Sequence, residues 1–173
     1  VRINLIGLAV ALVLLSKWRM FAVKPRHWPA NVRANAIDII VGVSTLVFMT
    51  HSGTQTFQLL WAVLYGAWLL GLKPRSSLLA VSAQALVGQF AGLTAVFLAY
   101  GHASLYVLVG LAWVICYSAA RHFFTSFDET LTRFLAYTWG WFAAALVWVL
   151  GHWLLFYGVI AQPTLLLVVI GFA

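Results

Sequence analysis

Three of the five histidines are spaced almost evenly along the chain, as His51, His102 and His152. Each falls near the end of an apolar segment, on the same predicted side of a bilayer. Neutral imidazoles bind transition metals such as zinc, and they change charge at about pH 6.5. If helical hairpins bring the three together, they form a metal site or a pH sensor. The alternative is that histidine is simply tolerated at the lipid headgroups, and no His-x-x-x-His spacing favours the metal.

Asp38 is the carboxylate placed beside an apolar segment, whereas Asp128 and Glu129 belong to a loop. An ionisable group in a membrane segment is costly and therefore marks a candidate functional site. It follows Arg33 and Asn35 by about one helical turn. One interpretation is an ion pair that fixes the start of the segment to the preceding basic loop. The other is a proton or coupling-ion site at the inner mouth of a path.

Further polar side chains lie within the apolar segments, namely Ser44, Thr45, Gln84 and Gln89. Together with Asp38, Arg33 and Asn35 they can line a path for an ion or a small solute. They can equally form hydrogen bonds between helices, as intramembrane polar side chains often do. Gln84 and Gln89 are the stronger candidates because they lie deeper in their segment.

The composition excludes several classes of protein. The chain has 173 residues, of which 64% are hydrophobic and 8% are charged. Soluble domains carry about 25% charged residues, so a chain this poor in charge cannot cover a surface in water. A soluble globular protein, a disordered tail and a nucleic-acid-binding protein are therefore excluded. The single cysteine, Cys116, excludes an internal disulfide.

The apolar residues form seven continuous segments, and helices rather than alternating strands are the way such segments cross a bilayer. We expect an all-α polytopic bundle in a single transmembrane domain, residues 1–173. The predicted spans are about 3–16, 36–50, 57–72, 77–100, 105–120, 131–157 and 164–173. Gly88 and Gly92 form a GxxxG pair that predicts close approach of another helix.

The charges predict an orientation. Nine of the ten Lys and Arg residues lie in loops 17–33, 73–75 and 121–133, and the intervening loops have none. Basic loops stay on the cytoplasmic side. The N-terminus is therefore predicted outside and the C-terminus inside, in a plasma membrane of the bacterial type.

Two patterns suggest finer organisation. The three histidines are 51 and 50 residues apart, a period that predicts one leading helix followed by three helical hairpins in the same orientation. Loop 121–133 contains Ser126-x-x-Glu129, which predicts a capping box for the sixth helix, or a docking site for a cytoplasmic partner.

We expect a transporter or channel for an ion or small solute. The alternative is a non-catalytic membrane subunit or scaffold, with membrane-protein partners or a second copy of the chain. A metal- or cofactor-binding protein that uses the outer histidines is a third possibility. Motifs of common enzymes, such as HExxH, GxSxG and the P-loop, are absent from the sequence. The nine tryptophans either line a site or pack against lipid and core.

Overall fold

The computed structural model describes residues 13, 15, 17–71, 77–127, 130–155 and 169–171. Within these residues it is all-helical and has no strand. Short elements come first: α1 (Trp18–Phe21), a 3-10 turn (Pro25–His27) and α2 (Trp28–Ala34). The longer helices follow as α3 (Ala36–His51), α4 (Gln55–Gly71), α5 (Leu78–Tyr100), α6 (Leu105–Thr125) and α7 (Thr132–Leu155).

Helices α3 to α7 coincide with the second to sixth predicted segments to within a few residues. Among the described residues, α5, α6 and α7 are long and apolar enough to cross a membrane. The residues Pro25–Ala34 and Ala36–His51 add a fourth if they form one span broken by a 71° bend. The predicted first and seventh spans lie largely outside the described residues, so the count of seven and the orientation stay predictions.

The bend before α3 follows from local backbone geometry. Asn35 ends α2 with φ −108° and ψ 17°, outside the helical region. Its Nδ2 donates a hydrogen bond to the Asn31 carbonyl at 2.8 Å. Helix α2 and the basic residues before it therefore do not lie on the axis of α3 but turn away from it.

Glycines on α5 allow α3 to pack closely. A Cβ atom added at Gly88 would lie 2.9 Å from Ile37, and one at Gly92 would lie 2.7 Å from Ile40. The predicted close approach at the GxxxG pair is therefore present. Both residue numbers increase together along this contact, so α3 and α5 run in the same direction.

The same contact fixes the height of α3 in the bundle. Its first turn faces Gly88, which lies near the middle of α5. Asp38 is therefore level with the middle of α5 and not with its end.

The most tightly packed layer lies between α5, α6 and α7. Leu93, Ala112, Cys116 and Val147 are completely buried there. Helix α4 differs, because among the described residues none of its own is buried and its extensive contacts are with α3.

The prediction of a capping box at the start of the sixth membrane helix is wrong. Helix α6 continues beyond the predicted end at residue 120, and Ser126 is its C-cap. The Ser126 hydroxyl donates to the His122 carbonyl at 3.0 Å, and α7 begins only at Thr132. The longer α6 therefore ends at the serine that the motif assigned to the start of the next helix.

Candidate functional site

Asp38 has charged and polar partners from two other parts of the chain. Its Oδ2 lies 3.6 Å from the Lys17 ammonium. Its Oδ1 accepts a hydrogen bond from the Trp68 indole N–H at 3.3 Å. The Lys17 side chain is only 11% exposed, against 36% for Asp38. The ammonium is therefore drawn into the protein by the carboxylate, which compensates part of its desolvation.

His122 and Gln84 extend this group across α6 and α5. The His122 Nε2–H donates to the Gln84 amide oxygen at 3.0 Å. Ala119 lies one turn before His122 and packs with Ile37 at the start of α3. The imidazole thus faces α3, close enough to interact electrostatically with Asp38. We call Lys17, Asp38, Trp68, Gln84 and His122 the polar cluster.

An aromatic stripe on α4 positions Trp68. Trp61, Tyr65 and Trp68 recur at helical spacing and all face α3. The Trp61 ring packs against the Phe48 ring, with centroids 4.7 Å apart and planes at 35°. The Tyr65 hydroxyl lies 2.9 Å from the place where a Cβ at Gly42 would be. These contacts hold α4 against α3, so that the indole N–H reaches Asp38.

Other residues predicted for the site lie apart from the polar cluster or are bonded within their own helix. Arg33 is exposed, and the Asn35 amide bonds to Asn31 as described above. The ion pair expected at the start of α3 is present, but its cation is Lys17 and not Arg33. The Ser44 and Thr45 hydroxyls donate to the carbonyls of Ile40 and Val41, at 2.7 and 2.8 Å.

Gln89 is a second polar group in the interior. It is 5% exposed, and its amide oxygen accepts a hydrogen bond from the Trp139 indole at 3.3 Å. Its amide nitrogen is buried and has no hydrogen-bond partner in the described part of the chain. Gln89 follows Gln84 by five residues on α5, a rise of about 7.5 Å. The two amides therefore mark two levels along one helix.

Two of the three spaced histidines, His51 and His152, bond within their own helices. The Nδ1–H groups of His51 and His152 donate to the carbonyls of Val47 and Trp148, both at 2.9 Å. The His152 ring also contacts the Trp148 ring, with centroids 4.3 Å apart and planes at 53°. Among the described residues, which include all three histidines, no group of three His, Cys, Asp or Glu side chains could hold a metal ion. The geometry therefore gives the zinc interpretation no support.

Three members of the polar cluster were not predicted as site residues from the sequence: Lys17, Trp68 and His122. The stripe of aromatic residues on α4 was a usable indication for Trp68, because it repeats at helical spacing. His122 was assigned to a loop, since α6 was predicted to end at residue 120. Lys17 belongs to a loop of several basic residues, and its sequence position does not distinguish it from the others.

The polar cluster combines an ammonium, a carboxylate, an imidazole and an amide. Of these groups, the carboxylate and the imidazole can take up and release protons. Comparison with protein families, curated proteins and solved structures finds no match to the chain. The structural class of the protein therefore follows from its own helices. It is an all-helical protein with three or four helices that are long and apolar enough to cross a membrane.

Proposed function

We propose that the chain is a small multi-pass membrane transport protein, a transporter or channel that moves a proton or another small cation. The observation that carries this proposal is the position of Asp38. It lies level with the middle of α5, in contact with Lys17 and Trp68 and facing His122.

Placing a charged side chain inside a lipid bilayer costs free energy. Helix α5 has 23 residues, a length of about 34 Å that matches a bilayer core. If α5 spans the bilayer, Asp38 lies near mid-depth, where a charged side chain costs roughly 3 kcal/mol or more. A chain that needs only packing has no reason to keep a carboxylate and an ammonium at that depth, with an imidazole close enough to interact electrostatically with the carboxylate.

The polar groups suggest an order along the path. Under the predicted orientation, the end of α6 that bears Arg121 faces the cytoplasm, in a plasma membrane of the bacterial type. His122 and Gln84 then lie between that face and Asp38. Gln89, with its unpartnered amide nitrogen, lies farther along α5. A proton or cation would pass from the imidazole region to Asp38 and on toward Gln89.

Flux through proteoliposomes tests the proposal. Purified protein is reconstituted with a trapped pH-sensitive dye, and a potassium gradient with valinomycin supplies the driving potential. We expect proton flux above that of empty liposomes, and at least tenfold lower flux for Asp38→Asn. Asp128→Asn is the matched carboxylate-to-amide control and is expected to keep wild-type flux. Sodium and potassium are tested with corresponding dyes, and wild-type flux equal to empty liposomes for all three cations would refute the proposal.

A second candidate is a membrane subunit, and the unburied helix α4 favours it. Because its extensive contacts within the described part of the chain are with α3 alone, this candidate has another chain or a second copy packing there. In a Cys116→Ala background, Leu70→Cys on α4 is compared with Leu79→Cys on α5, since both leucines are 81% exposed. A copper-phenanthroline crosslink specific to Leu70→Cys would indicate a homo-oligomer through α4. Equal or absent crosslinking would exclude that arrangement.

A further inference from the structure

A cavity lies where α6 ends and α7 begins, and none of its lining residues belongs to the polar cluster. Its volume is about 640 Å³, and its lining comes from both helix ends. Among the lining side chains are two arginines and three threonines: Arg121, Arg133, Thr125, Thr130 and Thr132. The cavity therefore presents hydrogen-bond donors and positive charge to whatever enters it.

The charge of the cavity is not neutralised by the residues around it that the structure describes. Neither arginine forms an ion pair within the described part of the chain. Arg133 is in the first turn of α7, where the backbone N–H groups have no acceptor within the helix. A helix N-terminus and guanidinium groups both favour a phosphate, which arginine binds through two parallel hydrogen bonds.

An aromatic surface adjoins the cavity. The Arg121 guanidinium donates to the Tyr117 hydroxyl at 3.2 Å. Tyr117 stacks on Trp113, with centroids 5.1 Å apart and planes at 2°. Tyr137 and Trp141 of α7 complete the group, and Trp141 is 65% exposed. These rings extend from the arginines along the α6–α7 surface and offer an apolar face to an acyl chain.

We infer that this cavity binds the phosphate of an anionic membrane lipid, with an acyl chain lying on the aromatic surface. The arginines alone would suit any phosphate. The adjoining aromatic face selects an amphiphile, because a free phosphate ion gains nothing from it. The site shares no residue with the polar cluster, and the inference stands independently of transport.

Native mass spectrometry of the full chain released from detergent tests the inference. We expect retained adducts of added phosphatidylglycerol, and roughly tenfold fewer with phosphatidylcholine, which has no net charge. Arg121→Gln and Arg133→Gln are each expected to lower phosphatidylglycerol retention by roughly tenfold. Arg33→Gln is the matched control, because Arg33 is an exposed arginine in α2, and it is expected to have no effect.

Tyr117→Phe removes the hydroxyl that holds Arg121 and keeps the ring. It is expected to lower retention by a smaller factor than Arg121→Gln while leaving the melting temperature unchanged. Asp128→Asn with Glu129→Gln removes two negative charges from the same loop and is expected to raise retention.

Three results would overturn the inference. The first is equal retention of the two lipids, and the second is equal loss in the Arg33→Gln control. The third is binding of inorganic phosphate that depends on both arginines, combined with no preference for the anionic lipid. That result would assign the cavity to a soluble phosphate compound instead. Melting temperatures within a few degrees of wild type are required for each variant, so that loss of folding is not mistaken for loss of binding.

Discussion

The Lys17 ammonium lies 3.6 Å from the Asp38 carboxylate, and it is the more deeply buried of the two side chains. The pair joins the chain before α1 to the first turn of α3, across the 71° bend between α2 and α3. The basic loop therefore contributes a member of the polar cluster instead of lying only at the membrane surface. Removing only the lysine leaves the Asp38 carboxylate without its cation, whereas removing both charges does not, so the two changes have different effects on stability.

Lys17→Met is expected to destabilise the protein more than the double variant Lys17→Met with Asp38→Asn. The single change leaves a carboxylate without its cation, whereas the double change removes both charges. We expect a coupling free energy of about 1 kcal/mol, since Asp38 is still partly exposed. Unfolding in mixed micelles of rising sodium dodecyl sulfate measures it. Lys24→Met, at an exposed lysine of the same loop, should show no coupling to Asp38→Asn, and a coupling of similar size there would contradict a specific pair.

Trp68→Phe is expected to slow proton flux severalfold, because it removes the indole N–H that bonds to the Asp38 carboxylate and keeps most of the ring. Trp61→Phe is the matched control on the same helix. The Trp61 ring packs against Phe48, and Trp61 is one of the aromatic residues that hold α4 to α3. The proteoliposome assay described above makes the comparison. Equal slowing in both variants would show that α4 acts through packing alone.

Gln89→Met separates a path from interhelical packing. The change removes the hydrogen bond from Trp139 but also removes a buried amide nitrogen that has no described partner. The two effects on stability oppose each other, and we expect a net change of no more than about 1 kcal/mol. Proton flux is expected to fall at least severalfold. A large loss of stability with unchanged flux per folded protein would assign Gln89 to packing.

The His122–Gln84 hydrogen bond is suited to an exchange experiment. His122→Gln and Gln84→His each replace one member of the pair, and together they restore an imidazole and an amide at exchanged positions. We expect each single variant to melt several degrees lower and the double variant to recover at least half of that loss, because the pair joins α5 to α6. Additive losses in the double variant would show that the two side chains are not coupled. Differential scanning fluorimetry in detergent supplies the melting temperatures.

Gly92→Ala is expected to destabilise the bundle by about 1–3 kcal/mol. An added Cβ would lie 2.7 Å from the Ile40 side chain and 2.8 Å from the Ile115 side chain, so these side chains or the helices that carry them must shift. Gly110→Ala on α6 is the control, since nothing lies within 4 Å of its added Cβ. Equal stability of the two variants, measured by the same micelle unfolding, would mean that the close approach of α3 to α5 does not stabilise the protein.

The sequence by itself determined the all-helical class and, apart from the end of α6, the approximate bounds of α3 to α7, because helices long enough for a bilayer must be continuously apolar and the charged residues lie in the loops. It also identified Asp38, Gln84 and Gln89 as the polar groups among these helices, and Gly88 and Gly92 as a place of close packing. It misplaced the end of α6, since His122 and the residues after it look like a loop until tertiary contacts extend the helix.

Tertiary structure alone decided which polar groups meet. Of the several basic residues before α3, sequence position favoured Arg33 as the partner of Asp38, but the bend at Asn35 leaves Arg33 exposed and packing brings Lys17 to the carboxylate. The even spacing of the three histidines suggested convergence, yet spacing along a chain fixes only their height in a bundle and not the direction in which each ring faces. The height of Asp38 depends likewise on Ile37 packing against Gly88. Contacts between residues so distant in sequence are set by helix packing, which no local pattern contains.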